Sequence, residues 1–233
     1  MVDQFPASRS TTFGYVCRRC SRCCQHKRIQ LNPYEVARLA RARKQSTTEF
    51  RRASTVDGQG TVLAQKDDGT CVFLGPQGCE VHGDRPLVCR LYPLGRHVRA
   101  DGFEYFTRHE GHPQSEGEFT DRGTVDGFLE AQGAKPFMAA QDSYFRWLCR
   151  AHEQIAGTND ATGSDQTDRA VGVDLLDIDL MIAEHCADTA ENEPADIEDR
   201  LRLHLNLLYD LIANNGGQHV AEKPQDRTNE VTQ

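Results

Sequence analysis

Residues 17–24 read Cys-Arg-Arg-Cys-Ser-Arg-Cys-Cys, four cysteines in eight positions. Two thiols separated by two residues can wrap one cation, because the tight turn between them points both sulfurs inward with backbone N–H groups facing them. Cys17, Cys20 and Cys23 repeat that spacing, which iron–sulfur ferredoxins also use locally. Cys24 points elsewhere when Cys23 points in, so it suits a second metal or a bridging position. Downstream stand Cys71, Cys79 and Cys89. Seven of the nine cysteines therefore crowd residues 17–89, and a region of that kind is organised by its thiols rather than by a large sheet.

The remaining two, Cys149 and Cys186, lie in apolar helical stretches and read as core thiols. A disulfide framework fits poorly: the cysteine count is odd, and the N-terminus, Met1 to Gly14, lacks the apolar segment of an export signal. Free thiols point to a cytoplasmic protein. A CxxC pair also serves redox or catalytic dithiols, a further use open to the run. No apolar stretch approaches the length of a membrane helix, so no membrane partner is expected.

Charge divides the chain. Residues 1–100 carry 17 Lys+Arg against 8 Asp+Glu, and residues 101–233 carry 10 against 27. The basic half could compensate a negative thiolate cluster, pair with the acidic half, or meet an acidic partner. Nucleic acid is an unlikely partner, because base-stacking aromatics are sparse in the basic half.

Around the cysteines the punctuation is local. Asn32 as N-cap, Pro33 at the first position and Glu35 three after the cap start a helix whose apolar stripe is Val36, Leu39 and Ala40. A short helix is expected over Thr48 to Ala53. Hairpins are expected for Thr61–Gln65 with Cys71–Leu74 around Asp68-Gly69, and for His97–Ala100 with Phe103–Thr107 around Asp101-Gly102. Pro86 to Tyr92 suits a helical turn or two. Further on, Thr124 caps a short helix to about Gln132, and Pro136 opens a longer one to Ile155. Its Phe137, Ala140, Tyr144, Trp147, Leu148 and Ala151 fall on one face. Gly157 to Arg169 reads as a flexible loop, and Leu175 to Ala190 with Pro194 to Ala213 as a final helical pair, the latter striped by Ile197, Leu201, His204, Leu205 and Leu208. Asp174, Asp177, Asp179 and Glu184 read as a solvated face. The expected class is α+β: a cysteine-rich hairpin region over 15–115 and a helical C-terminal part over 120–213 packed on it. Residues 1–14 and 214–233 are expected to be disordered.

The run at 17–24, followed by Asp-Gly-x-Cys at 68–71 and Arg-Pro-x-x-Cys-Arg-x-Tyr-Pro at 85–93, resembles the CxxCxxCC (YkgJ-like) family, which is described as zinc- or iron-chelating and includes a relative of flagellin lysine N-methylases. The resemblance covers about residues 15–115. It implies metal ligation by Cys17, Cys20, Cys23, Cys24, Cys71, Cys79 and Cys89, with Arg85, Arg90 and Tyr92 behind them. Family members often carry Cys-Pro-Gly after the second hairpin; here His112-Pro113 stands at that place, and imidazole can replace thiolate. His112 is therefore an expected eighth ligand, and His82, separated from Cys79 by two residues, has ligand-like spacing.

Eight soft ligands suit two tetrahedral zinc sites, or one iron–sulfur cluster with spare thiols. The expected function is zinc or iron binding. An iron–sulfur or metal-dependent enzyme, such as a lysine N-methylase-like one, is the alternative, and whether catalysis follows is left open. Gly58-Gln59-Gly60 lacks the flanking strand and helix of a nucleotide loop and reads as an ordinary loop. No Walker loop, GxSxG elbow or HExxH is present. His185 and His204 read as packing or surface residues.

Overall fold

The computed structural model of the chain describes residues 6–56, 60–158 and 173–216. Among the described residues, seven helices and three two-stranded antiparallel ribbons make an α+β fold. In chain order the helices are α1 (Pro33–Ala42), α2 (Thr47–Ser54), α3 (Leu87–Leu91), α4 (Val125–Ala131), α5 (Lys135–Thr158), α6 (Ile178–Thr189) and α7 (Ile197–Gly216). The strands are β1 (Thr12–Val16), β2 (Leu74–Gly75), β3 (Gly78–Cys79), β4 (Leu94–Val98), β5 (Glu104–Arg108) and β6 (Glu118–Thr124). They pair β1 with β6, β2 with β3 and β4 with β5.

The first two helices start where their side chains can satisfy the first free N–H groups. Asn32 and Glu35 form a reciprocal capping box on α1, and Ser46 with Glu49 does the same on α2. The α1 stripe of Val36, Leu39 and Ala40 is buried against Phe50, Leu63, Phe73 and Val81 in one apolar cluster, with Cys71 and Cys79 packed on its edge. Thr124 caps α4 through the Gly127 N–H, and Asp177 caps α6 through that of Leu180.

A second and larger core spans both halves of the chain. Tyr34, Leu87, Leu91, Leu94 and Phe106 come from the cysteine-rich half, and Phe137, Tyr144, Trp147, Leu201 and Leu208 from the helical half. The α5 face is buried as its periodicity predicts, except for Leu148, which is exposed. His204 is fully buried: its Nδ1 lies 2.8 Å from Tyr144 Oη and its Nε2 3.0 Å from Leu175 O. That placement makes it the packing residue its stripe suggested.

Several expectations change. The hairpin expected for Thr61–Gln65 and Cys71–Leu74 is reduced to one bridge, Gln65 to Cys71. Its first arm spends its hydrogen bonds elsewhere: Leu63 N donates to Ile29 O, Ala64 N to Ser54 O, and Val62 O accepts from Val56 N. The arm read as disordered over 1–14 is, from residue 6 onward, paired: Ala7 exchanges hydrogen bonds with Phe106, and Thr12 opens β1. Residues 1–5 lie outside the described residues, as do 57–59 of the glycine loop, 159–172 of the expected flexible loop and 217–233 of the expected tail. The β1–β6 ribbon has no short-range signal, since its strands lie about a hundred residues apart. It requires Gly14, where a Cβ would stand 2.2 Å from Thr120 Oγ1 and 2.6 Å from Arg122 O. Cys186 is buried, whereas Cys149 is only half-buried on α5.

Asp177 is not part of a solvated face. It is 2 % exposed and accepts from the Thr47 and Thr48 hydroxyls and the Leu180 N–H, with Arg51 Nη1 at 3.4 Å. Burial alone would raise its pKa, but these partners outweigh it and hold the carboxyl below its ordinary value. Further ion pairs join the basic and acidic halves: Arg9 to Asp126, Arg18 to Glu118 and Arg96 to Asp142. Among the described residues no helix is long and apolar enough to cross a membrane.

Candidate metal centre

The cysteine run leaves the end of β1 and turns back through backbone conformations that L residues seldom adopt. Arg19 (φ 54°), Ser21 (φ 62°) and His26 (φ 52°) are all left-handed. The run closes in a single 3₁₀ turn, Arg22–Cys24, and is then tied to the Asp68-Gly69 turn. His26 N donates to Gly69 O at 2.8 Å and Cys71 N to Cys24 O at 2.9 Å. Those two bonds set Cys24 beside Cys71. Gly69 has φ +77°, and a Cβ there would lie 2.3 Å from the His26 ring, so glycine is required on both counts.

From Cys71 the chain makes the short β2–β3 ribbon, in which Leu74 pairs with Cys79. It then passes a 3₁₀ turn, His82–Asp84, and enters α3, which carries Cys89. Four separate segments thus deliver five thiols to one place. Cys24 S–H donates to Cys23, holding the Cys23 thiol below its ordinary pKa and raising its own. Burial raises Cys71 and Cys79, and the charge on Cys23 raises both further. Cys89 reaches solvent on one side but is crowded on the others. Desolvation pushes it upward, and so do the charges of Cys71, Cys23, Cys79 and Glu35. Mutual repulsion of this kind marks thiols that stand near enough to feel one another's charge.

The backbone favours the thiolate form at three positions. The N–H two residues ahead donates to the sulfur of Cys20 (Arg22), Cys71 (Phe73) and Cys79 (Val81). Arg19 N–H donates to Cys17 Sγ with the same spacing, at 3.4 Å. Cationic side chains add to this, with Lys27 and Arg85 lowering Cys23, Lys66 lowering Cys71 and Arg85 lowering Cys79. Arg85 is aimed by bonds to His82 O (2.7 Å) and Gln132 Oε1 (2.8 Å).

Cys17 and Cys20 sit apart from the five, beside Tyr15, whose phenol is raised by burial and by both thiol charges. Burial pushes Cys20 up, but the N–H groups of Arg22 and Glu116 and the Ser115 hydroxyl outweigh it and lower the thiol. Tyr15 packs edge-on against Tyr92 at 6.0 Å, and Tyr92 Oη accepts from His112 N at 3.3 Å. His112 therefore lies on the Cys17–Cys20 side. Its Nδ1 accepts the Gln114 N–H at 3.1 Å, which places the neutral ring's proton on Nε2. His82 is exposed on its 3₁₀ turn, with Nδ1 3.3 Å from Arg85 Nη1; burial and the charges of Arg85 and Arg19 lower its pKa.

Among the described residues, no three His, Cys, Asp or Glu side chains stand ready to hold an ion as they are. The donor set itself fits a soft or borderline cation: clustered thiols, N–H···S bonds and nearby positive charge. Sequence reasoning missed three participants. Ser115 and Glu116 touch Cys20 from a loop about a hundred residues on, and Glu35, read only as a cap, is 3 % exposed and its charge reaches Cys89. Each acts on a thiol distant in sequence, so no local pattern marked them.

Residues 16–111 match the model of the CxxCxxCC family, described as a putative zinc- or iron-chelating domain. No curated protein and no solved structure matches the chain.

Proposed function

We propose, from the match of residues 16–111 to the CxxCxxCC family model, that the protein binds zinc or iron through the thiolates of Cys23, Cys24, Cys71, Cys79 and Cys89, with Cys17 and Cys20 completing the set. His112 is the added ligand on the Cys17–Cys20 side, and its ligation through Nε2 requires the Gln114 contact to give way. The observation that carries this reading is the gathering of five mutually repelling thiols from four chain segments. Five thiolates without a cation would repel one another strongly; a bound cation turns that repulsion into attraction.

In this reading residues 15–115 are the metal-binding region and 120–213 its helical support. The basic half serves the thiolates and the acidic helices rather than nucleic acid. Lys27, Lys66 and Arg85 act on the sulfurs, while Arg9, Arg18, Arg51 and Arg96 pair with carboxylates of the other half. Free thiols suit a reducing compartment such as the cytoplasm. Bound metal would contribute directly to folding, because ribbons as short as β2–β3 do not stabilise themselves.

The test is anaerobic purification followed by elemental analysis and an absorption spectrum. Zinc or iron should co-purify with the wild-type chain and be lost in Cys23→Ser and Cys71→Ser, but not in Cys149→Ser or Cys186→Ser. Broad visible absorption would assign iron–sulfur, and a colourless protein with zinc the other metal. Metal content that is unchanged in the first two variants would overturn the reading.

A further inference from the structure

Of the clustered thiols, Cys89 is the most distant in sequence from the cysteine run, and it rides on a helix of only five residues, Leu87–Leu91. So short a helix cannot hold its own orientation. What fixes it is a pair of buried charged side chains. Arg90 donates to Arg85 O (3.0 Å), Gln132 O (2.9 Å) and Gly83 O, and its guanidinium lies 3.9 Å over the Phe137 ring. On the other side, Glu35 of α1 accepts from Leu87 N through Oε1 at 2.7 Å, and from Asn32 N through Oε2 at 3.0 Å.

Glu35 is thus shared between two helices. One oxygen completes the capping box of α1, and the other holds the backbone of α3 two residues before Cys89. A capping box needs only one carboxylate oxygen and works at the surface. This one is buried, at a desolvation cost that capping alone would not recover. Both oxygens are committed, and the Glu35 charge is one of those that reach Cys89.

We propose that Glu35 is a positioning residue for metal ligation, fixing α3 so that the Cys89 sulfur faces Cys23, Cys71 and Cys79. It acts through the Leu87 N–H and does not itself ligate. This rests on the reading of the clustered thiols as ligands. It implies that removing the Leu87 contact weakens metal binding only in so far as Cys89 takes part.

Cobalt(II) titration of the full chain under anaerobic conditions tests this, since the sulfur-to-cobalt charge-transfer band counts bound thiolates. Competition with a chelator gives the affinity in wild type, Glu35→Gln, Cys89→Ser and the double variant. Loss of a group that orients a ligand costs about ten- to a hundred-fold in metal affinity. Glu35→Gln should therefore weaken cobalt binding about ten-fold in the wild-type background and reduce the band. In the Cys89→Ser background the same change should have almost no effect. Should Glu35→Gln fail to fold, as circular dichroism would show, Glu35→Asp keeps the charge, withdraws both oxygens by one methylene and should follow the same pattern. Equal losses in both backgrounds would make Glu35 a general structural residue and overturn the proposal. The failure of the thiolate reading looks different: no charge-transfer band in the wild-type protein, and Cys89→Ser equal to wild type.

Discussion

Replacing Ser21 by glycine should make the protein more stable, although the change lies inside the cysteine run. Ser21 stands at φ 62°, ψ 7°, where the Cβ of an L residue crowds the following carbonyl at a cost of about 1–2 kcal/mol. Glycine removes that cost. It also widens the unfolded ensemble, which takes back about 0.4–1 kcal/mol. The Ser21 hydroxyl donates one long bond, 3.4 Å to Arg19 O, at an exposed site, and its loss adds little. The balance for Ser21→Gly is a gain of about 0.5–1 kcal/mol. Ser21→Ala keeps the Cβ and should change nothing beyond a few tenths. Urea unfolding of the metal-loaded protein at fixed metal concentration measures this as a higher midpoint with an unchanged slope. Arg19→Gly, at φ 54°, should shift the midpoint the same way. A glycine variant less stable than the alanine variant would show that the turn is not left-handed at Ser21.

Acid should destabilise the protein through His204. The buried ring holds its pKa at about 4, first through desolvation, against 6.5 for a free imidazole. The unfolded chain therefore takes the proton first as pH falls, so stability from this group is complete above pH 6.5 and is lost between 6.5 and 4, about 3 kcal/mol in all. Thermal melts across that range should show the loss, and His204→Asn should flatten it. Thiol labelling should separate the cysteines by place: in the metal-loaded fold Cys149 reacts, Cys186 stays unreactive until unfolding, and the other seven become reactive when a chelator is added. Phe137→Ala should cost about 3–5 kcal/mol, because the ring fills the shared core and carries the guanidiniums of Arg90 at 3.9 Å and Arg38 at 4.9 Å. In that variant, helical circular dichroism and thiol protection should disappear in one transition rather than two.

What could be read from the sequence was what neighbours decide. The Asn32–Glu35 box, the turn at Asp101-Gly102 and the apolar faces of α5 and α7 all lie within one or two helical turns or a single hairpin. The thiol spacing at 17–24 belongs to the same class. Long-range pairing was hidden. The β1–β6 ribbon depends on Gly14 meeting Thr120, and neither strand alternates clearly. Asp177 looks like any exposed acid until Thr47, Thr48 and Arg51 close over it from a distant helix. Glu35 was visible as a cap, but its second bond goes to Leu87, fifty-two residues on. The Cys71 hairpin was misjudged because the backbone carbonyls of Ile29 and Ser54 took the N–H groups of its first arm.

Sulfur should surround the metal. X-ray absorption at the metal edge of the protein as purified measures the first shell directly. A shell dominated by sulfur at about 2.3 Å, with at most one nitrogen from His112, is expected. A shell of oxygen and nitrogen at about 2.0–2.2 Å, with the seven thiols still free to react, would rule out thiolate ligation.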